Sequence, residues 1–213
     1  MKSVVNSNIL MLGLLLGLSA VIISVTNHYI LTINFFDSSG EYLNGNPALE
    51  GKTYEDIQKY IYSSTVIYTT FKLFVVALVL YTALFLADHP IPFAKAFNIV
   101  ILSEFIFLLS AVLKIIWFLY AYPNGTLSDW HKTYIFSVLS LTGRVSADWY
   151  YPLQTLNLFE MLYWFILAYG IFCNTSLTYD RSLRIVVFSY LPALFIWVAT
   201  IVFCTVMIFP GNA

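Results

Sequence analysis

Charge is what this sequence has least of. Only 10% of its 213 residues are Asp, Glu, Lys or Arg, against about 25% in an average soluble chain. So few charges cannot cover a water-facing surface, which excludes a soluble enzyme, a nucleic-acid binder and a disordered regulator. The net charge of −1 carries no message about a charged partner. Cysteine is scarce as well. Cys173 and Cys204 are too few for a disulfide framework and lack metal-ligand spacing. Compact catalytic signatures are missing too: no His-Glu-x-x-His helix, no Gly-x-Ser-x-Gly elbow, no Gly-rich phosphate loop. All six aspartates fall outside the apolar runs, and His28, His89 and His131 lie in separate segments. The expectation is a protein without catalytic residues, cofactor or metal.

Apolar residues make up the bulk, 60% of the chain with 18% aromatic, and the mean hydropathy is +0.81. A helix needs about 20 apolar residues to cross roughly 30 Å of hydrocarbon. Five stretches meet that test, residues 8–33, 63–87, 96–122, 152–173 and 185–209. The sequence therefore reads as an all-α polytopic membrane protein, a single transmembrane domain over residues 1–213. The first run follows Lys2 as a secretory signal would. It continues past a signal core of roughly 7–15 residues, with Val21-Ile22-Ile23 after Leu18-Ser19-Ala20, so a retained signal-anchor is expected.

Loop cations set the expected orientation. Segments 1–7, 88–95 and 174–184 hold Lys2, Lys95, Arg181 and Arg184; loops 34–62 and 123–151 hold Lys52, Lys59, Lys132 and Arg144. The numbers are equal, but the first group occupies less than half the loop length, and Arg181 and Arg184 flank a span. This places the N-terminus inside and the C-terminus outside, with a bacterial cytoplasmic (inner) membrane as the expected setting. In the first external loop, Thr53-Tyr54-Glu55-Asp56 reads as a capping box, so a helix is expected to start near Thr53. In the second, residues 134–141 are apolar but too short to span. They predict an interfacial or re-entrant segment beneath Trp130, Trp149, Tyr150 and Tyr151. The acids Asp37, Glu41, Glu50, Glu55, Asp56, Asp129 and Asp148 outnumber the bases of these loops, predicting an ordered cap that docks an external or periplasmic partner.

Ionisable residues within the apolar runs are the conspicuous feature. Lys72, Glu104, Lys114 and Glu160 each lie well inside one. Such a group costs roughly 2.5–3.5 kcal/mol at the bilayer centre, so it pairs or faces a cavity. By the helical rise, Lys72, Lys114 and Glu160 share a layer roughly 12–14 Å below the outer surface, and Glu104 falls in the opposite half. An ion pair of Glu160 with Lys72 or Lys114 is the expectation. An ion pair fixing helix register, a polar cavity and snorkelling lysines all remain open. Pro152 suits the first turn of a helix, and Gln154, Asn157 and Glu160 then recur every third residue as a narrow polar stripe. Such a stripe must face protein, and it more often glues helices than conducts.

Five spans with the N-terminus cytoplasmic and the C-terminus not, together with the late stretch Arg184-Ile185-Val186-Val187-Phe188-Ser189-Tyr190-Leu191-Pro192-Ala193-Leu194, resemble the Yip-type integral membrane proteins. The stretch from Pro152 to Glu160 resembles uncharacterised small membrane proteins of Bacteroidota. The long first external loop and the absence of an extended cytoplasmic region before the first run depart from the Yip pattern. The resemblance implies a membrane organiser without catalytic residues, so no site residue carries over. The leading expectation is a non-catalytic membrane subunit or scaffold that binds the lipid bilayer and other integral membrane or periplasmic proteins, not nucleic acid. The alternative is a small transporter or channel-like subunit using the Lys/Glu layer. Pro192 inside the fifth run favours it, whereas inverted repeats and broken helices are not evident in the sequence.

Overall fold

The structure, a computed structural model, describes the backbone of residues 2–38, 47–142, 145 and 147–208 and the side chains of residues 7–36, 52–142, 145 and 149–207. Among these the chain is helical throughout, with no strand. The order is α1 Lys2–Tyr29, α2 Ile33–Ser38, α3 Pro47–Leu86, α4 Phe93–Ala121, α5 Leu127–Lys132, α6 Val138–Leu141, α7 Ala147–Thr155, α8 Leu158–Asn174 and α9 Tyr179–Ile208. Four of these, α1, α3, α4 and α9, are long and apolar enough to cross a membrane.

Local chemistry sets the ends. Asp88 takes a left-handed backbone (φ 60°), and the N–H groups of Asp88 and His89 return to the carbonyls of Phe85 and Leu84 at 3.2 and 3.0 Å. These two hydrogen bonds close α3 as a Schellman motif. Pro90 comes next, and Pro92 opens α4, where its missing N–H is no loss.

Three expectations need correction. The helix expected near Thr53 begins at Pro47. The first helix ends at Tyr29, short of the run expected to reach residue 33. The run 152–173 is not one helix: it breaks after Thr155 and restarts at Leu158, and Pro152 sits inside α7 rather than in a first turn. Beyond the break, α8 has 17 residues, about 25 Å by helical rise and shorter than roughly 30 Å of hydrocarbon. Residues 134–141 form a turn that leads into the four-residue α6. Of the expected acidic cap, Asp37, Glu41, Glu50 and Asp148 lie outside the described side chains.

The long helices form a closed ring. α3 packs on α4, α4 on α8, α8 on α9, and α9 returns to α3; α1 lies against the outer side of α4. α1 and α4 start at the same end, because Asn8 Nδ2 donates to the Ala94 carbonyl at 2.7 Å and Asn98 Nδ2 to Asn8 Oδ1 at 2.8 Å. The turn between α3 and α4, the turn between α8 and α9 and the start of α1 therefore share one end, the turn end. The long connection 122–157 lies at the other.

At the turn end the ring is solid. Leu80 and Leu84 of α3, Ile99 and Val100 of α4, Leu167 and Ile171 of α8 and Val186 of α9 are buried together. Gly170 lets α8 and α4 approach closely: a Cβ there would stand 2.4 Å from Ile99 Cγ2. Toward the connection 122–157, the same four helices separate.

Candidate functional site

Three helices turn one stripe each toward the gap. On α3 it is Tyr68, Phe71, Lys72, Val75, Val76 and Val79; on α4, Phe107, Ser110, Ala111 and Lys114; on α9, Tyr190, Ala193, Leu194 and Trp197. The spacing of three and four is that of a single helical face. The fourth wall comes from the connection and the break: Tyr134, Ile135, Ser137, Tyr151, Gln154, Asn157 and Glu160. The chamber so enclosed has a volume of about 660 Å³, within the range of small-molecule sites.

The break between α7 and α8 is built, not frayed. Asn157 stands as the N-cap of α8 in extended backbone, its side-chain oxygen accepting the Glu160 N–H at 2.8 Å. Its Nδ2 donates to the carbonyls of Gln154 and Thr155 at 2.9 and 3.2 Å, sealing the end of α7 as well. The freed backbone on either side pairs with the connection: Val138 N–H donates to the Leu156 carbonyl at 2.9 Å and Leu158 N–H to the Phe136 carbonyl at 3.0 Å. Irregular backbone within an apolar bundle is tolerated where protein or a cavity satisfies it. Asn157 thus does a different job from the one its spacing suggests. Gln154, Asn157 and Glu160 still reach one chamber, but from two helices and their joint rather than from one continuous stripe.

The charges are arranged differently from the expected pairing. Lys72 Nζ donates to Glu104 Oε1 at 2.6 Å, an ion pair with both side chains largely buried. Helical rise from the expected span boundaries places these two in opposite halves. Measured from their shared turn, Lys72 lies 14 residues before the end of α3 and Glu104 lies 11 residues after the start of α4. The three-residue difference is about 4.5 Å of rise, within reach of a lysine side chain. Lys72 also stands 4.1 Å from the centre of the Phe107 ring and 5.6 Å from that of Tyr163. Glu104 does not line the chamber; it neutralises Lys72 from behind the wall.

Glu160 makes no ion pair among the described residues. Its Oε1 accepts hydrogen bonds from Tyr190 Oη at 2.8 Å and Trp164 Nε1 at 3.1 Å. It also sits in the first turn of α8, where the helix dipole favours a carboxylate. Lys114 does not share the expected layer: it lies 21 residues after the start of α4, whereas Lys72 lies 14 residues before the end of α3, so it stands about 10 Å nearer the connection. Its ammonium lies over the Trp130 ring at 4.2 Å and the Tyr134 ring at 4.5 Å, and among the described residues it has no carboxylate within 4 Å. Two further polar atoms are buried without a hydrogen-bond partner, Glu104 Oε2 and Tyr163 Oη. Both belong to residues in contact with Lys72.

All six residues singled out in the sequence therefore sit at or directly behind one chamber. Sequence reasoning missed the aromatic residues that serve it. Trp197 donates its Nε1 to Tyr151 Oη at 2.9 Å and packs on Tyr68 and Phe71. Tyr190 holds Glu160, and Trp130 and Tyr134 hold Lys114. Tyr190 and Trp197 share a face with Ala193 and Leu194 at helical spacing, a readable signal that a general assignment of aromatics to the membrane interface obscures. In comparisons with known proteins, no family model, no curated protein and no solved structure matches the chain.

Proposed function

We propose that this chain is a small membrane transporter or channel-like subunit whose intramembrane chamber holds its cargo. One observation carries the reading: Lys72, Lys114, Gln154, Asn157 and Glu160, from four separate elements, converge on a single cavity rather than on lipid. Broken helices beside a polar site within an apolar bundle are the recurring construction of such proteins, and the α7–α8 joint has that form. In this reading α7 and α8 together make a discontinuous fifth crossing, and residues 122–142 of the connection roof the chamber from the outside. The N-terminus is inside and the C-terminus outside, in a bacterial cytoplasmic membrane. The chain works without a catalytic centre of its own.

The scaffold expectation keeps a specific support and stands as the second reading. Gly13 and Gly17, four residues apart on α1, are exposed, and an added Cβ at either meets nothing within 4 Å. That spacing lets two membrane helices approach closely, so a partner subunit could pack there, in keeping with the resemblance to Yip-type organisers.

Purification in mild detergent and reconstitution into liposomes separate the two. Under the transport reading the lone protein conducts protons, chloride or potassium, and filling the chamber by Ala111→Trp abolishes that flux while the protein stays folded. A stable stoichiometric complex with no flux would instead support the scaffold.

A further inference from the structure

The walls of the chamber differ in what they face. Phe71, Tyr68 and Ile196 line the cavity and are nevertheless 54, 48 and 65% exposed. All three lie on α3 and α9. Around Trp197, which packs on Tyr68 and Phe71, the lining therefore reaches the outer surface of α3 and α9 that a bilayer would cover, and a ligand entering from there must dissolve in lipid.

The cavity is also long and has one distinctive end. Its stripe on α3 spans 12 residues, from Tyr68 to Val79, or about 16 Å along the axis. Lys114 stands at the end near the connection 122–157, as the last lining residue of α4. An ammonium has three donors and no acceptor. The rings of Trp130 and Tyr134 stabilise its charge through their faces but leave those donors unused. Lys72 is already neutralised by Glu104, and Glu160 is held by Tyr190 and Trp164. Lys114 is therefore the chamber's free cation among the described residues; below it the lining carries Lys72, Glu160, Tyr190 and Ser110 on one side, and the apolar track is Phe71, Val75, Val76 and Val79 of α3 with Phe107 and Leu194.

We infer that the chamber takes a single-chain anionic amphiphile. Its acid head binds Lys114 at the connection end, and its hydrocarbon chain lies along Phe71, Val75 and Val79 toward the packed half. The inference rests on the proposed reading of the chamber as a ligand site and adds the ligand's class. The acid head supplies the oxygens that the ammonium lacks, and the chain replaces lipid-facing contacts at the mouth.

The test uses the full chain in nanodiscs of uncharged-headgroup lipid, with a lauric acid bearing a photoreactive diazirine near its tail. Light should attach it saturably to residues 71–79 and 190–197, and unlabelled laurate should compete. A matched diazirine alcohol should label weakly. Lys114→Gln should lower subsaturating labelling by about tenfold or more, the loss expected of a charge-assisted hydrogen bond, and Lys114→Arg should restore most of it. In case Lys114→Gln does not fold, Ala193→Trp supplies a second variant, which should block labelling by occupying the chamber with Lys114 in place. Equal labelling by acid and alcohol, or labelling indifferent to both variants, overturns the inference. Competition by acetate or inorganic phosphate as strong as that by laurate would show a site for free anions and overturn the lipid-derived class. If labelling fails while chamber-dependent flux persists, the ligand class is wrong and the transport reading stands.

Discussion

The two halves of this bundle are built from the same four helices and similar apolar residues, yet one is solid and the other hollow. At the turn end, short connections between α3 and α4 and between α8 and α9 hold the helices together, and Gly170 allows α8 to lie directly on Ile99 of α4. At the other end Tyr134, Ile135 and Ser137 of the long connection line the gap, and α7 packs on α9. The backbone of residues 136–138 pairs with Leu156 and Leu158 at the broken joint, and a chamber stays open between the helices there. Packing in the first half is set by side-chain shape. In the second half it is set by hydrogen bonds and charge, which hold groups at fixed places without filling the space between them. A membrane protein needs the first half to hold its fold and can use the second to hold something else.

The sharpest way to break the comparison is at the boundary between the halves, where Lys72 meets Glu104. Glu104→Leu leaves a buried ammonium without its partner and should cost about 3–5 kcal/mol, while adding Lys72→Leu should recover most of the loss, because removing both charges of a buried pair is often neutral. Thermal unfolding in detergent reads both. Equal damage from the single and double variants would mean that the pair does not join the halves.

Next come identical truncations in each half. Leu167→Ala in the packed half should cost about 2–5 kcal/mol, because the cavity it leaves cannot collapse. Leu194→Ala on the chamber wall should cost less, since it enlarges a space that already exists. Comparable losses measured by thermal unfolding would make the hollow half as tightly packed as the solid one.

A smaller effect is expected at the joint. Asn157→Ala removes the cap of α8 and both bonds to the end of α7, and should cost about 0.5–2 kcal/mol. Faster hydrogen exchange should appear at residues 136–138 and 156–160, with residues 163–171 unchanged. Faster exchange throughout α8 would show that the joint supports the packed half too.

The smallest effect lies at the mouth of the connection. Thr126 donates its backbone N–H and its hydroxyl to Asp129, holding that carboxyl below its ordinary value of 3.8. A lowered folded-state value contributes stability above the unfolded value and loses it as pH falls through the folded one. The α5 cap should therefore be constant above about pH 4 and loosen only below it. Trp130, next in the chain, reports this by fluorescence, and Asp129→Asn should remove the acid-side change. A transition near neutral pH would contradict it.

Composition alone determined the setting. With one residue in ten charged, apolar runs of this length have no stable arrangement in water, whatever the tertiary contacts. The four charged residues inside the runs were legible for the same reason: their desolvation cost marks them whatever surrounds them, and Lys72, Lys114 and Glu160 line the chamber with Glu104 behind its wall. Their partners were not legible. Which carboxylate meets Lys72 depends on a difference of a few ångströms in helix register, and the expected boundaries at residues 63 and 96 erase it. Counting from the α3–α4 turn, fixed by Asp88 and Pro92, recovers the pair. The break at Asn157 was hidden because a periodic polar stripe and a capped joint use the same residue types at the same spacing. Only the connection, folding back to bond Leu156 and Leu158, makes the break the lower-energy choice. Local sequence thus settled which groups could not face lipid, since that cost belongs to each residue by itself. Tertiary structure decided which of them pair and which line a cavity, because those energies exist only once segments distant in the chain are brought together.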